Sequence, residues 1–244
     1  MLLTFVRYMD TFTALDLLFL FISYGVVLLL CLPVHEFAHG LAAYWCGDKT
    51  AKWQGRLSLN PFRHLDLMGT IMILTVGIGY AKPVPVNSYN FRNRKRDMIL
   101  VALAGPLSNF LMAVAAAGIF RICTFIFTDY ADIDTLMLLW VVLVDVIVMV
   151  NISLMVFNLL PVPPLDGSRL WSSLLPGRWA YVLEQYSQYI AIGLMMLLFS
   201  GALDGPLDLM RNTVGTLVGI LVGEPDLFNP IEMFEGLFPY VNFV

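Results

Sequence analysis

Charged side chains are scarce in this sequence: Asp, Glu, Lys and Arg make up 13% of its 244 residues, whereas 59% are hydrophobic. This balance excludes a disordered chain and is typical of an integral membrane protein. The formal net charge of −4 offers no basic surface for nucleic acid. We therefore expect a protein of the lipid bilayer that does not bind nucleic acid.

Cysteine and histidine are also few, with three of each. Cys31, Cys46 and Cys123 lie within or at the ends of apolar segments and form no Cys-x-x-Cys pair. They are interpreted as small buried hydrophobic residues, so neither a disulfide framework nor a thiolate zinc site is indicated. Three histidines cannot supply the many ligands of a di-iron membrane oxidase. The first residues show no convincing cleavage site, and we expect the first apolar segment to remain in the mature protein.

Long apolar runs predict the membrane segments. Residues 15–45 form a nearly continuous run of 31 residues, longer than the ~20 that a helix needs to cross a bilayer. Residues 98–127 and 136–160 are two further full spans. Residues 189–203 and 207–222 are two shorter candidates.

Two segments between the first and second full spans predict other structures. Residues 69–80 are apolar but number only 12, so they predict a re-entrant or partially inserted segment. Residues 51–59 alternate in polarity and predict a β-strand. The expected fold is an α-helical polytopic membrane protein with about five to six transmembrane or re-entrant segments and a small membrane-associated β-sheet. It forms one membrane-embedded domain over residues 1–244, with a core at about 15–170 and C-terminal helices and tail at 180–244.

The distribution of basic residues predicts the orientation. Eleven of the fourteen Lys and Arg residues follow the first or the third full span, on what would be the same side. The positive-inside rule places this side in the cytoplasm, with the N-terminus outside, in a multi-pass protein of the cell membrane. The run Arg92 to Arg96 is mainly a topology determinant, with contact to anionic lipid as a secondary role.

The most specific motif is His35-Glu36-Phe37-Ala38-His39, inside the first predicted span. On a helix the two histidines are one turn apart, so both imidazoles can bind one Zn²⁺ per chain, while Glu36 lies beside them to act on the water that the metal would bind. The alternative is a pair of hydrogen-bonded core histidines, but these groups are costly in hydrocarbon without partners. Pro33 predicts a helix kink just before the motif, although proline is also tolerated in transmembrane helices.

Two histidines leave a zinc ion short of ligands, so a third donor is needed. His64 lies in a polar loop and is more typical of a loop hydrogen-bonding residue. Asp166 is the better candidate because it follows the third full span, at the same predicted membrane face as His39. A carboxylate there would complete a three-ligand catalytic site with a fourth position open to water.

Taken together, these motifs resemble the site-2 protease family of intramembrane zinc metalloproteases over about residues 30–170. The resemblance rests on the His-Glu-x-x-His helix, the Asn158-x-x-Pro-x-Pro-x-x-Asp-Gly167 element and Gly105-Pro106-Leu107-Ser108-Asn109 between them, supported by residues 55–61 and 81–87. The chain is similar to the compact prokaryotic branch, since the PDZ and CBS domains of other members are absent.

The resemblance implies that His35, His39 and Asp166 bind zinc and that Glu36 is the catalytic base and acid. It also implies that Asn109 faces the active site, where it contacts substrate or the developing oxyanion, although an Asn in a membrane helix is often only a helix-helix hydrogen-bond partner.

The expected function is hydrolysis of peptide bonds in or near transmembrane helices of membrane proteins. A helical substrate must be locally extended first, and the strand predicted at residues 51–59 offers an edge for pairing with it. One alternative is a non-catalytic membrane scaffold that binds partners, of which loss of Glu36 would be the mark. Another is a metal transporter, but beyond the proposed site Asp145 is the only obvious mid-membrane acid. The sequence leaves a homo-oligomer open.

Overall fold

The computed structural model describes residues 21–22, 25–76, 79–126 and 135–223 of the chain. Helices dominate these residues. In chain order they are α1 (Leu32–Trp45), α2 (Thr50–Trp53), α3 (Leu67–Val76), α4 (Arg94–Ile126), α5 (Thr135–Asn158), α6 (Asp166–Leu174), α7 (Gly177–Gln185), α8 (Ser187–Phe199) and α9 (Asp204–Val222).

A π-helical turn, Val27–Cys31, leads directly into α1. The backbone N–H of Leu32 donates to the carbonyl of Val27, five residues back. Pro33 follows at once, and proline cannot donate to the carbonyl of Leu29 as an α-helical residue would. The helical hydrogen bonding is therefore altered one turn before the His-Glu-x-x-His motif, where the sequence predicts a distortion at this proline.

Helix α4 is the centre of the fold, since α1, α5, α6 and α9 all pack against it. Small side chains on α4, such as Ala113 and Ala117, are fully buried and let neighbouring helices approach closely. Val148 and Ile152 of α5 fill the same core cluster, together with Val218 of α9. Helix α4, against which α1 and α6 pack, is thus itself part of the largest hydrophobic core cluster.

Two described helical stretches, Val27–Trp45 and Arg94–Cys123, are long and apolar enough to cross a membrane. A third would be formed by α7 and α8 if that pair, bent by 67°, is one span. The predicted spans at 15–45, 98–127 and 136–160 correspond to α1, α4 and α5, although residues 15–20, 23–24 and 127 lie outside the described residues. The helical fold class is therefore confirmed, while the number of five to six segments stays a prediction.

The β-strand predicted at residues 51–59 is wrong, and no strand occurs in the residues that the structure describes. Residues 50–53 instead form the short helix α2, whose start is fixed by Asp48, because its Oδ1 accepts the backbone N–H of Thr50 at 3.0 Å. Gly55 then adopts a φ of +64°, which turns the chain away from any extended path. These local contacts outweigh the alternation in polarity, and the predicted small sheet is not supported.

The chain doubles back on itself after α3. The Tyr80 carbonyl lies so close to Gly69 that a Cβ on that glycine would be 1.9 Å from its oxygen. Two residues later, the backbone N–H of Lys82 donates to the carbonyl of His64 at 2.8 Å, so the chain returns to where α3 begins. Insertion of residues 69–80 into the membrane as a re-entrant segment stays a prediction, and residues 77–78 lie outside the described residues.

Candidate metal centre

Helix α1 brings His35 and His39 together as the four-residue spacing predicts. Both side chains are buried, with 4% and 6% of their surface exposed. Their Nε2 atoms lie 3.1 Å apart, and the two rings meet edge to face with centroids 4.6 Å apart. The ring nitrogens that could bind a metal therefore converge on one point.

Asp166 completes this cluster from the first residue of α6. Its Oδ2 atom lies 3.0 Å from Nε2 of His35 and 3.0 Å from Nε2 of His39. Gly167 allows this approach, because a Cβ there would meet the carbonyl oxygens of Leu160 and Leu159 at 2.3 and 2.4 Å. The third ligand proposed from the sequence thus lies beside the two histidines, although more than 120 residues separate it from them in the chain.

The donor set fits a zinc ion. Three unprotonated donor atoms this close together would repel one another, whereas one cation with bonds of about 2.0–2.2 Å can be shared by all three. Burial alone would raise the pKa of the Asp166 carboxyl, but in the metal-free site hydrogen bonds from protonated imidazoles of His35 and His39 outweigh it and hold this pKa well below its usual range. Asp166 is thus a carboxylate at neutral pH, which is the form that binds a metal. Among the described residues, no other group of three His, Cys, Asp or Glu side chains converges in this way.

The second ring nitrogen of His39 has its own partner. Its Nδ1 lies 2.7 Å from the carbonyl of Val101 on α4. Because a carbonyl only accepts hydrogen bonds, Nδ1 carries the proton and Nε2 is left with its lone pair for the metal. Helix α4 therefore selects the tautomer of His39 that a zinc site needs.

Asn109 plays the corresponding part for His35. It is fully buried on α4, and its side-chain amide lies 3.1 Å from Nδ1 of His35. The amide oxygen would have no partner if the nitrogen faced the ring. In the structure Nδ2 faces the ring. If the amide were turned by 180°, its oxygen would accept from Nδ1–H of His35 and leave Nε2 free for the metal. Asn109 thus lies behind a ligand histidine, which is a position the sequence alone did not predict.

Gly105 is a further site residue whose role sequence reasoning missed. A Cβ at this position would lie 2.3 Å from Nε2 of His39 and 2.5 Å from Cε1 of His35. Only glycine lets α4 pass this close to both imidazoles. The sequence does contain a hint. Gly105 precedes Pro106 inside a predicted membrane helix, and glycine and proline both disfavour a helix interior, so a specific contact at this position is expected.

Glu36 is next to His35 but is not one of the three converging donors. Its Oε2 accepts the backbone N–H of Val84 at 2.8 Å. Val84 is buried, and its Cγ1 would lie 3.2 Å from a Cβ at Gly40, so the segment packs closely on α1. The Glu36 carboxylate, predicted to transfer protons, is therefore held by the backbone of Val84, which lies between Pro83 and Pro85.

Asp48 anchors the far end of this segment, and sequence reasoning missed it as well. Its carboxylate is fully buried and accepts the backbone N–H of Asn87 at 2.7 Å and the Asn90 amide at 2.8 Å. Burial would raise the pKa of Asp48, but the hydrogen bonds from Asn90, Thr50 and Asn87 outweigh it and keep that pKa below its usual value. The sequence gives no sign of this role, because Asp48 lies in a polar loop and its hydrogen-bond partners are known only from the structure.

The remaining polar residues singled out from the sequence lie elsewhere. His64 is fully buried in its loop, with Nε2 2.6 Å from the carbonyl of Ser58, as expected of a loop hydrogen-bonding residue. Asp145 is buried on α5, and neither of its carboxylate oxygens has a hydrogen-bond partner within the described part of the chain. Neither residue joins the converging donors.

The chain is similar in sequence to a known family and to several proteins. Residues 23–200 match the family model described as "Peptidase family M50". "Putative zinc metalloprotease YwhC" of Bacillus subtilis is 38% identical over 181 residues, which cover 70% of this chain and 78% of the relative. "Putative zinc metalloprotease Rip2" of Mycolicibacterium smegmatis is 30% identical over 154 residues, 61% of this chain and 55% of the relative.

An archaeal relative, "Putative zinc metalloprotease MJ0611" of Methanocaldococcus jannaschii, is 32% identical over 118 residues, which cover 48% of this chain and 54% of the relative. No solved structure matches the chain. The family match covers well over half of the sequence and includes all three converging donors and Glu36. The chain therefore belongs to peptidase family M50, the site-2 proteases, and is a zinc metalloprotease.

Proposed function

We propose that this protein hydrolyses peptide bonds in or near transmembrane helices of membrane proteins, using one zinc ion held by His35, His39 and Asp166. The observation that carries the proposal is the convergence of these three donor atoms within 3.1 Å of one another, with His35 and His39 on a helix that is long and apolar enough to cross a membrane. Donors on a helix that crosses the membrane would meet a substrate within the bilayer.

Zinc, when bound, polarises the scissile carbonyl and makes a water molecule easier to deprotonate. The protein itself supplies the proton transfers. Glu36 accepts a proton from the attacking water and passes one to the leaving amine. Its carboxylate is free for this task because it is not among the three converging donors, and the hydrogen bond from Val84 holds it in place.

Asn109 acts in this proposal by holding the imidazole of His35. The earlier expectation that it contacts substrate or the oxyanion remains a second role to be tested, because its amide already has a partner in His35. The substrate must still be locally unwound, since helical carbonyls are engaged in hydrogen bonds. The edge expected at residues 51–59 is not available for pairing, because these residues form no strand.

The proposed location is the cell membrane, with the N-terminus outside and the site toward the cytoplasmic face, since eleven of fourteen basic residues fall on that side. The proposed substrate is a transmembrane protein, and we expect the helices of this protein to contact the lipid bilayer directly. The scaffold and transporter alternatives gain no specific support. Glu36 is present, and no second group of converging donors that could mark a transport path occurs in the described residues.

The experiment is a cleavage assay with wild-type protein and Glu36→Gln, both reconstituted with a transmembrane peptide. The substitution keeps the size of the side chain but removes the base. We expect Glu36→Gln to retain its zinc and to lose at least the ~10²-fold in rate that general acid-base catalysis contributes. Near wild-type proteolysis by zinc-loaded Glu36→Gln would contradict the mechanism. A wild-type protein inert toward every membrane-helix substrate, but active on soluble peptides, would contradict the substrate class.

A further inference from the structure

A cavity lies away from the metal centre, among the polar segments between α1 and α4. Its volume is about 550 Å³. Three basic side chains line it, those of Arg56, Arg63 and Lys82, and no Asp or Glu is among the residues that do so. A cavity with a formal charge of +3 stands out in a chain whose net charge is −4.

The two guanidinium groups are held in place by carbonyl oxygens. Nη2 of Arg56 donates to the carbonyl of Lys82 at 2.6 Å and to that of Pro83 at 3.3 Å. Nη1 of Arg63 donates to the carbonyl of Gly55. Carbonyls orient these side chains without neutralising them, and neither forms an ion pair with a carboxylate in the described residues. The two guanidinium charges of the cavity are therefore oriented, and no carboxylate of the described residues neutralises them.

Donors remain available in this cavity. Each guanidinium has five N–H groups, of which these contacts use only some. The Nε of Arg56 is buried without a hydrogen-bond partner in the structure. The ammonium of Lys82 adds a third cation on an exposed side chain. Arginine forks matched with a lysine are the donors that proteins use for phosphate groups.

Two large aromatic side chains flank the same cavity. Trp53 and Phe62 are 76% and 77% exposed, far more than such residues usually are in contact with water. Aromatic side chains of this kind favour the boundary between hydrocarbon and headgroups. The combination of fixed cations and exposed aromatics suits an anion that lies at the surface of a bilayer.

We propose that the cavity bounded by Arg56, Arg63 and Lys82 binds a phosphate group, such as that of an anionic lipid headgroup. The site is separate from the metal centre and does not depend on proteolysis. It adjoins the catalytic region all the same, because the Lys82 and Pro83 carbonyls that Arg56 holds immediately precede Val84, the residue that hydrogen-bonds Glu36.

The test is calorimetric titration of the full-length protein in a neutral detergent. Three probes separate the sources of phosphate: short-chain phosphatidylglycerol, short-chain phosphatidylcholine and inorganic phosphate. We expect one phosphatidylglycerol per chain, bound at least fivefold more tightly than phosphatidylcholine. Neutralising one basic side chain should weaken binding about fivefold, as one charge does at an anionic surface, so Arg63→Gln/Lys82→Gln should weaken it about 25-fold.

Two controls keep the test sharp. Lys82→Gln alone should lose about fivefold, and it disturbs no hydrogen bond of its side chain within the described residues. Lys95→Gln removes an equal charge from the exposed start of α4, outside the cavity, and should leave binding unchanged. Tight binding of inorganic phosphate with the same dependence on Lys82 would assign the site to a soluble phosphate compound.

Three results would overturn the proposal. Equal affinity for the anionic and the zwitterionic lipid would exclude a charge-selective site. Equal weakening by Lys82→Gln and Lys95→Gln would reduce the cavity to a general basic surface that only sets topology. Unchanged binding in Arg63→Gln/Lys82→Gln, with zinc content retained as evidence of correct folding, would also exclude it.

Discussion

At the scale of single residues, the groups behind the proposed zinc ligands constrain the candidate site as much as the three donors do. Val101 and Asn109, both on α4, contact the outward nitrogens of His39 and His35. Such partners fix the tautomer and the orientation of a ligand imidazole before any metal arrives. The positions of the two histidines therefore depend on hydrogen bonds to α4 as well as on the spacing of the motif on α1.

Replacing Asn109 should show whether it acts through His35. We expect Asn109→Ala to lower zinc affinity about 10- to 100-fold, the usual cost of losing a hydrogen-bond partner of a ligand. A chelator-competition titration measures this affinity. The matched control is Asn151→Ala, since Asn151 is equally buried but contacts Cys31 instead of the site. Unchanged zinc affinity combined with a lower kcat would favour the oxyanion role instead.

Gly105 should tolerate no side chain. A methyl group there would lie 2.3 Å from the ligand nitrogen of His39, so we expect Gly105→Ala to displace an imidazole and lose most of its zinc. Elemental analysis of the purified protein is the measurement. Gly118→Ala is the control on the same helix, because a Cβ at that glycine meets nothing within 4 Å. Full zinc content in Gly105→Ala would show that α4 has more room than its packing indicates.

At the scale of elements, the segment at residues 81–87 has no regular structure, yet it holds the carboxylate of Glu36, the proposed proton-transfer group. Its path is set by hydrogen bonds at three places, to His64, Glu36 and Asp48. Proline at positions 83 and 85 limits the backbone conformations between these contacts. An irregular segment held in this way can be rigid without a strand or helix.

Asp48 should therefore contribute stability that depends on pH. Because its pKa is lowered in the folded protein, its contribution is present above the ordinary pKa of about 3.9 and is lost as pH falls through the lower folded value. We expect Asp48→Ala to cost about 1–3 kcal/mol at pH 7, from the buried donors left unpaired. Thermal denaturation across pH checks this, and the gap to wild type should narrow below about pH 4. A gap independent of pH would assign the effect to packing alone.

The elements also show what local sequence could and could not predict. The spacing of His35 and His39 needs only the period of a helix. The two stretches that are long and apolar enough to cross a membrane, Val27–Trp45 and Arg94–Cys123, need only length and hydropathy. The alternation at residues 51–59 failed because the hydrogen bond from the Thr50 N–H to Asp48 and the left-handed turn at Gly55 overrode it. Contacts such as Val84 with Glu36 join residues 48 positions apart, and no local pattern encodes them.

At the scale of the whole molecule, α4 links the core to the metal centre. One part of this helix packs in the largest hydrophobic cluster, and residues 101–109 support both histidines. Asp166 arrives from the other direction, at the start of α6, which also packs on α4. The site is thus assembled from three elements distant in sequence, and it depends on the tertiary fold to bring the third ligand into place.

The most direct test of the account is the zinc content of the purified full-length protein and of three variants, Asp166→Ala, Asp145→Asn and His64→Ala. We expect about one zinc per chain in the wild type, loss of zinc in Asp166→Ala, and full retention in Asp145→Asn, whose carboxylate is buried away from the three donors. Zinc retained by Asp166→Ala but lost by His64→Ala would contradict the assignment of His35, His39 and Asp166 as the metal centre.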